Sequence, residues 1–297
     1  MKRLWSFLIV TAVYILAAAT GILTYILLDF LIKHPLMLML ICDIAATLVV
    51  WFFGLIFKNA SMYDPYWSVQ SIVIIAGWLI LRNTALNAVD ILMLIAVGFW
   101  AVRLTYNWAS TFYGLKKTQD WRYVMLKQKN PKLFFITNLF GINLMPTLLV
   151  YLGTVPLYYV IFNNSAINGF TVFGLVIMIV ATLIELIADV QMKNFKKTNT
   201  DQQQVMDKGL WTYSRHPNYL GEIAFWWGIF VFSFSYINTP LYIGLGAVSI
   251  TLLFMFISIP MIEKKMLNTR PSSFKEYQKK VSMLLLLPNK KDYEKSA

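Results

Sequence analysis

The sequence predicts an all-α, polytopic transmembrane helix bundle of seven or eight spans, and three observations carry that expectation. Of the 297 residues, 58% are hydrophobic and only 13% charged, where a soluble domain carries about a quarter. The apolar residues come in blocks of about twenty, the length a helix needs to cross a hydrocarbon core of about 30 Å. The cations, finally, are sorted to one side of those blocks.

Taken in order, the blocks place spans at about 4–32, 36–57, 66–82, 89–112, 134–162, 169–192, 218–237 and 240–261. The first follows Lys2-Arg3 and passes through Ala17-Ala18-Ala19, a pattern that also suits signal-peptide cleavage. Loss of residues 1–19 would leave seven spans; apolar residues continuing to Ile32 favour an uncleaved first span. The second holds the one cysteine, Cys42, so neither a disulfide framework nor a metal site is expected.

With eight spans, alternate connections share a side of the bilayer. One side then collects Lys2 and Arg3, Lys58, the cluster from Lys116 to Lys132, the cluster from Lys193 to Arg215, and the tail from Lys264 to Lys295. The other receives only Lys33 and Arg82, and Arg103 lies inside a span. The positive-inside rule puts the rich side, with both termini, in the cytosol. Topology thus accounts for the net charge of +12. Membrane lipids are expected partners and nucleic acid is not; the oligomeric state is open.

Ionisable groups within or beside spans are costly in lipid and face a protein interior or cavity. Four sets stand out. Asp64-Pro-Tyr-Trp67-Ser68, with Gln70 beyond, opens the third span; a turn with an interfacial Trp is its bland reading. Arg103, Tyr106 and Asn107 share a face near the cytosolic end of the fourth, where Arg103 needs an anion or snorkels to the interface. Glu185 and Asp189 lie one turn apart at the end of the sixth, followed by Lys193, Lys196 and Lys197. The two carboxylates could accept from a sugar or amide, or pair with Arg103.

The fourth and most specific set runs Gly209-Leu-Trp211-Thr-Tyr213-Ser-Arg215-His216-Pro217-Asn218-Tyr219-Leu-Gly221-Glu222. Pro217 suits the first turn of a helix, with Ser214 or His216 as cap. Arg215 and His216 beside that helix start make an anion site. Asn218 and Glu222 follow one turn apart, pointing into the membrane. Together they suggest a phosphate-bearing cofactor held at the interface. Glu263 after Pro260, and Tyr277 in the tail, add an acceptor and an aromatic wall.

These residues carry a family resemblance. Asp64-x2-Trp67-Ser68, Arg103-Leu-x2-Asn107, Asp120-Trp121-Arg122-Tyr123, Asp189-x5-Phe195-Lys196, the segment from Gly209 to Glu222, and Glu263 with Tyr277 resemble the steroid 5-alpha-reductase-like membrane proteins. The likeness is to their bacterial branch, long labelled a domain of unknown function, and runs from Asn59 to the tail. It implies a domain at 59–297 behind N-terminal transmembrane segments at 1–58. It also implies a cytosol-facing pocket for NADPH and hydride delivery to a double bond conjugated to a carbonyl. Arg103, Asn107, Asp189, Lys196, Tyr213, Arg215, His216, Asn218, Tyr219, Glu222 and Glu263 then become cofactor contacts. The family's acid is a Gln-Glu pair with a Tyr; here Tyr106 and Asp64 are the catalytic candidates, with Trp67 and Gln70 against a sterol- or isoprenoid-like substrate entering from the bilayer.

Two other classes compete. A membrane methyltransferase using S-adenosylmethionine, of the isoprenylcysteine or phospholipid type, shares an Arg-His-Pro-x-Tyr-x-Gly segment. A non-catalytic lipid-binding scaffold would have little use for so many intramembrane carboxylates. The expected setting is a bacterial cytoplasmic membrane, or the endoplasmic reticulum of a eukaryote. Fusion to the C-terminus should give a fluorescent cytosolic reporter and an inactive periplasmic phosphatase; the reverse pattern would invert the orientation.

Overall fold

The computed structural model describes residues 2–163 and 165–288. Lys290, Lys291 and Lys295 of the basic tail lie outside the described residues. Among those described, every regular element is helical. Seven helices are long and apolar enough to cross a membrane, so the protein is an integral-membrane helical bundle. Its residues fall into two compact units, Met1–Ala166 with Ser235–Gly246, and Ile167–Phe234 with Ala247–Ala297.

The first unit is built on α1 (Arg3–Leu28), α2 (Pro35–Ile56), α3 (Tyr66–Arg82), α4 (Ala88–Thr111), the short α5 (Trp121–Lys129) and α6 (Pro131–Phe162). Helix α1 runs unbroken through Ala17-Ala18-Ala19. Its buried residues are Ser6, Val10, Val13 and Ala17, a stripe at spacings of four and three that matches one helical face. A core of Val10, Val13, Val50, Met62, Tyr63, Tyr66 and Phe112 forms around that stripe. Asn59 opens the approach to α3: its Oδ1 accepts from Ser61 N–H at 2.9 Å, and its Nδ2 donates to the carbonyls of Leu115 and Thr118.

Helix α4 starts on a capping box between Asn87 and Asp90. The same Asp90 takes a bidentate pair from Arg82, Nη1–Oδ1 2.9 Å and Nη2–Oδ2 2.8 Å, and Arg82 also donates to the Ile161 carbonyl. One cation thereby joins the ends of α3, α4 and α6. Helix α6 contains a π segment, Thr137–Leu144, just ahead of Pro146. Within that segment Asn143 Nδ2 donates to the Asn138 carbonyl at 2.8 Å.

The second unit comprises α7 (Gly169–Thr198), α8 (Pro217–Phe232), most of α9 (Leu241–Thr269) and α10 (Pro271–Lys280). Helices α7 and α8 run antiparallel and very close. A Cβ on Gly174 would lie 2.4 Å from the Phe232 nitrogen, and one on Gly221 would lie 2.4 Å from Glu185 Cγ and 2.7 Å from the Ala181 carbonyl. Small residues let helix backbones meet this way in membranes.

Two predicted boundaries need correction. The seventh span was expected at 218–237, but α8 ends at Phe232, where a 3₁₀ turn Ser233–Ser235 takes over. At 16 residues it is about 24 Å long, shorter than each of those seven helices. Helix α9 runs past the expected end at 261 to Thr269, so Glu263 sits within a helix.

Gly→Ala in a helix ordinarily stabilises by about 0.5–1 kcal/mol. Gly174→Ala should invert that sign, costing about 1–3 kcal/mol through overpacking. Gly98→Ala, with nothing within 4 Å, should be neutral or stabilising. Melting temperatures in detergent would decide.

Candidate functional site

In the second unit the segment from Gly209 to Glu222 is fixed from two directions. From α7, Gln191 Oε1 accepts from Leu210 N–H at 3.0 Å, and the Ala188 carbonyl accepts from Trp211 Nε1 at 3.3 Å. Gly209 has φ +63, and a Cβ there would strike the Gln191 side chain at 2.3 Å, so both conformation and space call for glycine. From the tail, Tyr277 Oη donates to the Trp211 carbonyl, Ser214 Oγ donates to the Leu284 carbonyl, and Arg215 N–H donates to the Ser282 carbonyl. Burial pushes the Tyr277 phenol above its ordinary range, so it remains a donor.

Arg215 and His216 converge on Glu263. Arg215 Nε lies 2.8 Å and His216 Nε2 3.0 Å from Glu263 Oε1, while Gln278 Nε2 donates to Oε2 at 2.7 Å. Arg215 Nη1 also donates to the carbonyls of Gln278 and Val281. The structure thus brings these three predicted cofactor contacts together, as a network among themselves. His216 is the N-cap of α8 by position, but no side chain caps the helix. Ser214 Oγ instead accepts from His216 N–H at 3.2 Å.

Beyond the turn, His216 and Tyr219 stack at 5.5 Å and 12°. Glu222 is buried and accepts from Trp226 Nε1 at 3.0 Å. Asn218 and Asp189 are half-buried, Lys196 is exposed, and Tyr213 is 45% exposed. A groove of about 540 Å³ opens beside the end of α7, lined among others by Gln191, Asn194, Asn199, Asp207, Lys208 and Gly209.

In the first unit the predicted residues separate. Arg103 is buried, Asn107 half-buried and Tyr106 66% exposed. The expected shared face divides because positions three and four residues on flank the reference direction and lie 100° from each other. Asp64 accepts from Tyr123 Oη at 2.8 Å. Burial, with the Asp64 charge second, pushes the Tyr123 phenol well above its usual range, so it stays protonated. Trp67 is half-buried.

Gln70 lies away from Asp64. Its Nε2 donates to Asp43 Oδ2 at 2.6 Å and to the Thr147 carbonyl at 2.9 Å. Asp43 is the residue that sequence reading passed over. It is 6% exposed and also takes a hydrogen bond from Tyr66 Oη at 3.1 Å. An acidic residue inside the second apolar block was the signal that could have found it.

Residues 50–281 match the family described as protein of unknown function DUF1295. The chain belongs to that family. An uncharacterized protein of Schizosaccharomyces pombe is 24% identical over 263 residues, covering 78% of this chain and 74% of the relative. No solved structure matches. The DUF1295 match takes in the Arg215–Glu263 network and Gln70, and begins seven residues after Asp43.

Removing the shared acceptor should loosen this end of the DUF1295 chain. Glu263→Gln is expected to cost about 1.5–3 kcal/mol, the range for hydrogen bonds to charged groups. It should also speed trypsin cleavage within Pro271–Lys280. Glu276→Gln, which loses only a 3.5 Å pair to the exposed Lys280, should change neither melting temperature nor cleavage.

Proposed function

We propose that this DUF1295 protein is an integral-membrane, NADPH-dependent reductase of a conjugated carbon–carbon double bond in a lipophilic, sterol- or isoprenoid-like substrate. The observation that carries the reading is the preorganised turn of the second unit. Its backbone is tied down by Gln191, Tyr277 and Ser282, and it feeds straight into an apolar helix bearing Asn218 and the buried Glu222. A site held rigid before its ligand arrives loses less entropy on binding.

The residues fit a dinucleotide. The groove beside α7 lies within the usual 300–1,000 Å³ range for ligand pockets. Its amides and the Asp201 and Asp207 carboxylates suit ribose hydroxyls and an adenine amino group. Lys208 at the groove supplies a cation for a phosphate, while Arg215 at the helix start is paired with Glu263. Asn218 and Glu222 lie one helical turn further along and would orient the amide-bearing ring. When bound, NADPH would supply a hydride to the β-carbon of the double bond. The resemblance of the Gly209–Glu222 segment to the steroid 5-alpha-reductase-like proteins supports this cofactor in particular.

The one-sided distribution of lysine and arginine supports a cytosol-facing site, where NADPH is found, in a bacterial cytoplasmic membrane or its eukaryotic counterpart.

Thermal shift on detergent-purified protein separates the readings. NADPH is expected to raise the melting temperature, and Glu222→Ala and Asn218→Ala to abolish the rise. Undiminished NADPH binding in Glu222→Ala would sink the cofactor assignment. A rise with S-adenosylmethionine in place of NADPH would transfer the protein to the methyltransferase class.

A further inference from the structure

In the first unit, the corner between α5 and α6 sets cations beside exposed apolar side chains. Every residue from Lys127 to Leu133 is exposed, Lys129 and Lys132 among them. Leu133, Phe135 and Ile136 continue the corner at 50%, 54% and 53% exposed. Trp51, in the last two turns of α2, meets Phe135 edge to face at 5.1 Å, and a Trp near a span end suits the depth of lipid headgroups. Lys127 Nζ lies 5.8 Å from the centre of the Phe134 ring.

The unit leaves no carboxylate for these lysines. After Asp120 the next acidic residue in the chain is Glu185, which belongs to the second unit. Asp120 is taken by Arg122 through Nε and Nη2, both at 2.9 Å, and Asp64 accepts from Tyr123. Asp90 is held by Arg82, and Asp43 is buried against Tyr66 and Gln70. Asp29 lies beyond the far end of α1: Arg3, at the start of that helix, donates to the Ala109 carbonyl near the end of α4, on the side where α5 follows. None of the three lysines forms an ion pair among the described residues.

We propose that this corner binds an anionic phospholipid, with Lys127, Lys129 and Lys132 on its phosphate headgroup and its acyl chains along Leu133, Phe135 and Ile136. An ammonium group acts on phosphate as a compact point charge with three donors. The apolar side chains beside it single out a lipid, because a free anion would leave them uncovered. Helix α10 makes the contrast. Its Lys275, Lys279 and Lys280 also cluster, but Glu276 reaches Lys280 at 3.5 Å, and its Phe274 and Tyr277 are buried. The start of α5 is already tied to the entry of α3, through Asp120 N–H on Ser61 Oγ and Tyr123 Oη on Asp64, both at 2.8 Å. A headgroup on the lysines holds the other end of the same short helix, so the lipid bears on the mouth where Asp64 sits. Nothing in this surface rests on the reductase reading.

Native mass spectrometry of the full-length protein in detergent, offered equal amounts of phosphatidylglycerol and phosphatidylcholine, tests it. Wild type should retain phosphatidylglycerol in excess. A lysine at an anionic membrane surface contributes roughly fivefold in binding, so each single Lys→Gln change at 127, 129 or 132 should cut the excess by about that factor. The triple Gln variant should remove it, and the triple Lys→Arg variant should keep it. The singles carry the test if the triple Gln variant unfolds, which its melting temperature in phosphatidylcholine alone would reveal. Lys275→Gln with Lys279→Gln and Lys280→Gln removes the same charge from α10 and should leave the excess intact. Equal retention of the two lipids by wild type, an unchanged excess in the Gln variants, or the same loss in the α10 variant would overturn the proposal.

Discussion

The second unit depends on one carboxylate. Glu263 receives Arg215 and His216 from the loop before α8 and Gln278 from α10, so three separate stretches of chain share one anion. With the Arg215 and Glu263 side chains only 10% and 13% exposed, their charges interact through a medium far less screening than water. The start of α8, the exit of α9 and the orientation of α10 are all set there. The α7–α8 seam then fixes the depth at which Glu222 sits, because Gly221 presses against Glu185.

The first unit meets the same demand differently. Lipid offers no hydrogen bonds, so buried polar atoms must find partners within the protein. Arg82 and Asp90 do so as an ion pair at helix ends. Deeper in, where a full charge is harder to hold, the unit satisfies Asp43 with one hydroxyl, Tyr66 Oη, and one amide, Gln70 Nε2. Thr147 is its hub, tying α2 and the approach to α3 through its hydroxyl and α3 again through its carbonyl.

Much of this was legible in the residues. Hydrophobic blocks located α1 to α4 within a few residues, because lipid imposes length and composition together. The Arg-His-Pro-Asn-Tyr run was legible as a polar cluster at a helix start, and the structure joins its Arg215 and His216 to Glu263. What escaped were pairings across helices. Gln70 was read with Asp64, six residues away in sequence, whereas its partner Asp43 lies on another helix and is invisible to any local pattern. Tyr106 was grouped with Arg103 by spacing alone, yet which side of a lipid-crossing helix faces protein depends on neighbours that periodicity does not name. The end of α8 was misjudged because Phe234 and Ile237 continue the apolar composition after the helix has stopped.

The ties from Arg215 and Ser214 to the backbone of Val281, Ser282 and Leu284, and the hydrogen bond from Leu287 N–H to the Tyr213 carbonyl, have a practical side. They make the last described stretch a strap across the motif. An affinity handle or fluorescent partner joined directly behind it would pull on the turn it secures, and a truncation before it would strip acceptors from Arg215. Purification schemes for this protein therefore call for a generous spacer at that end.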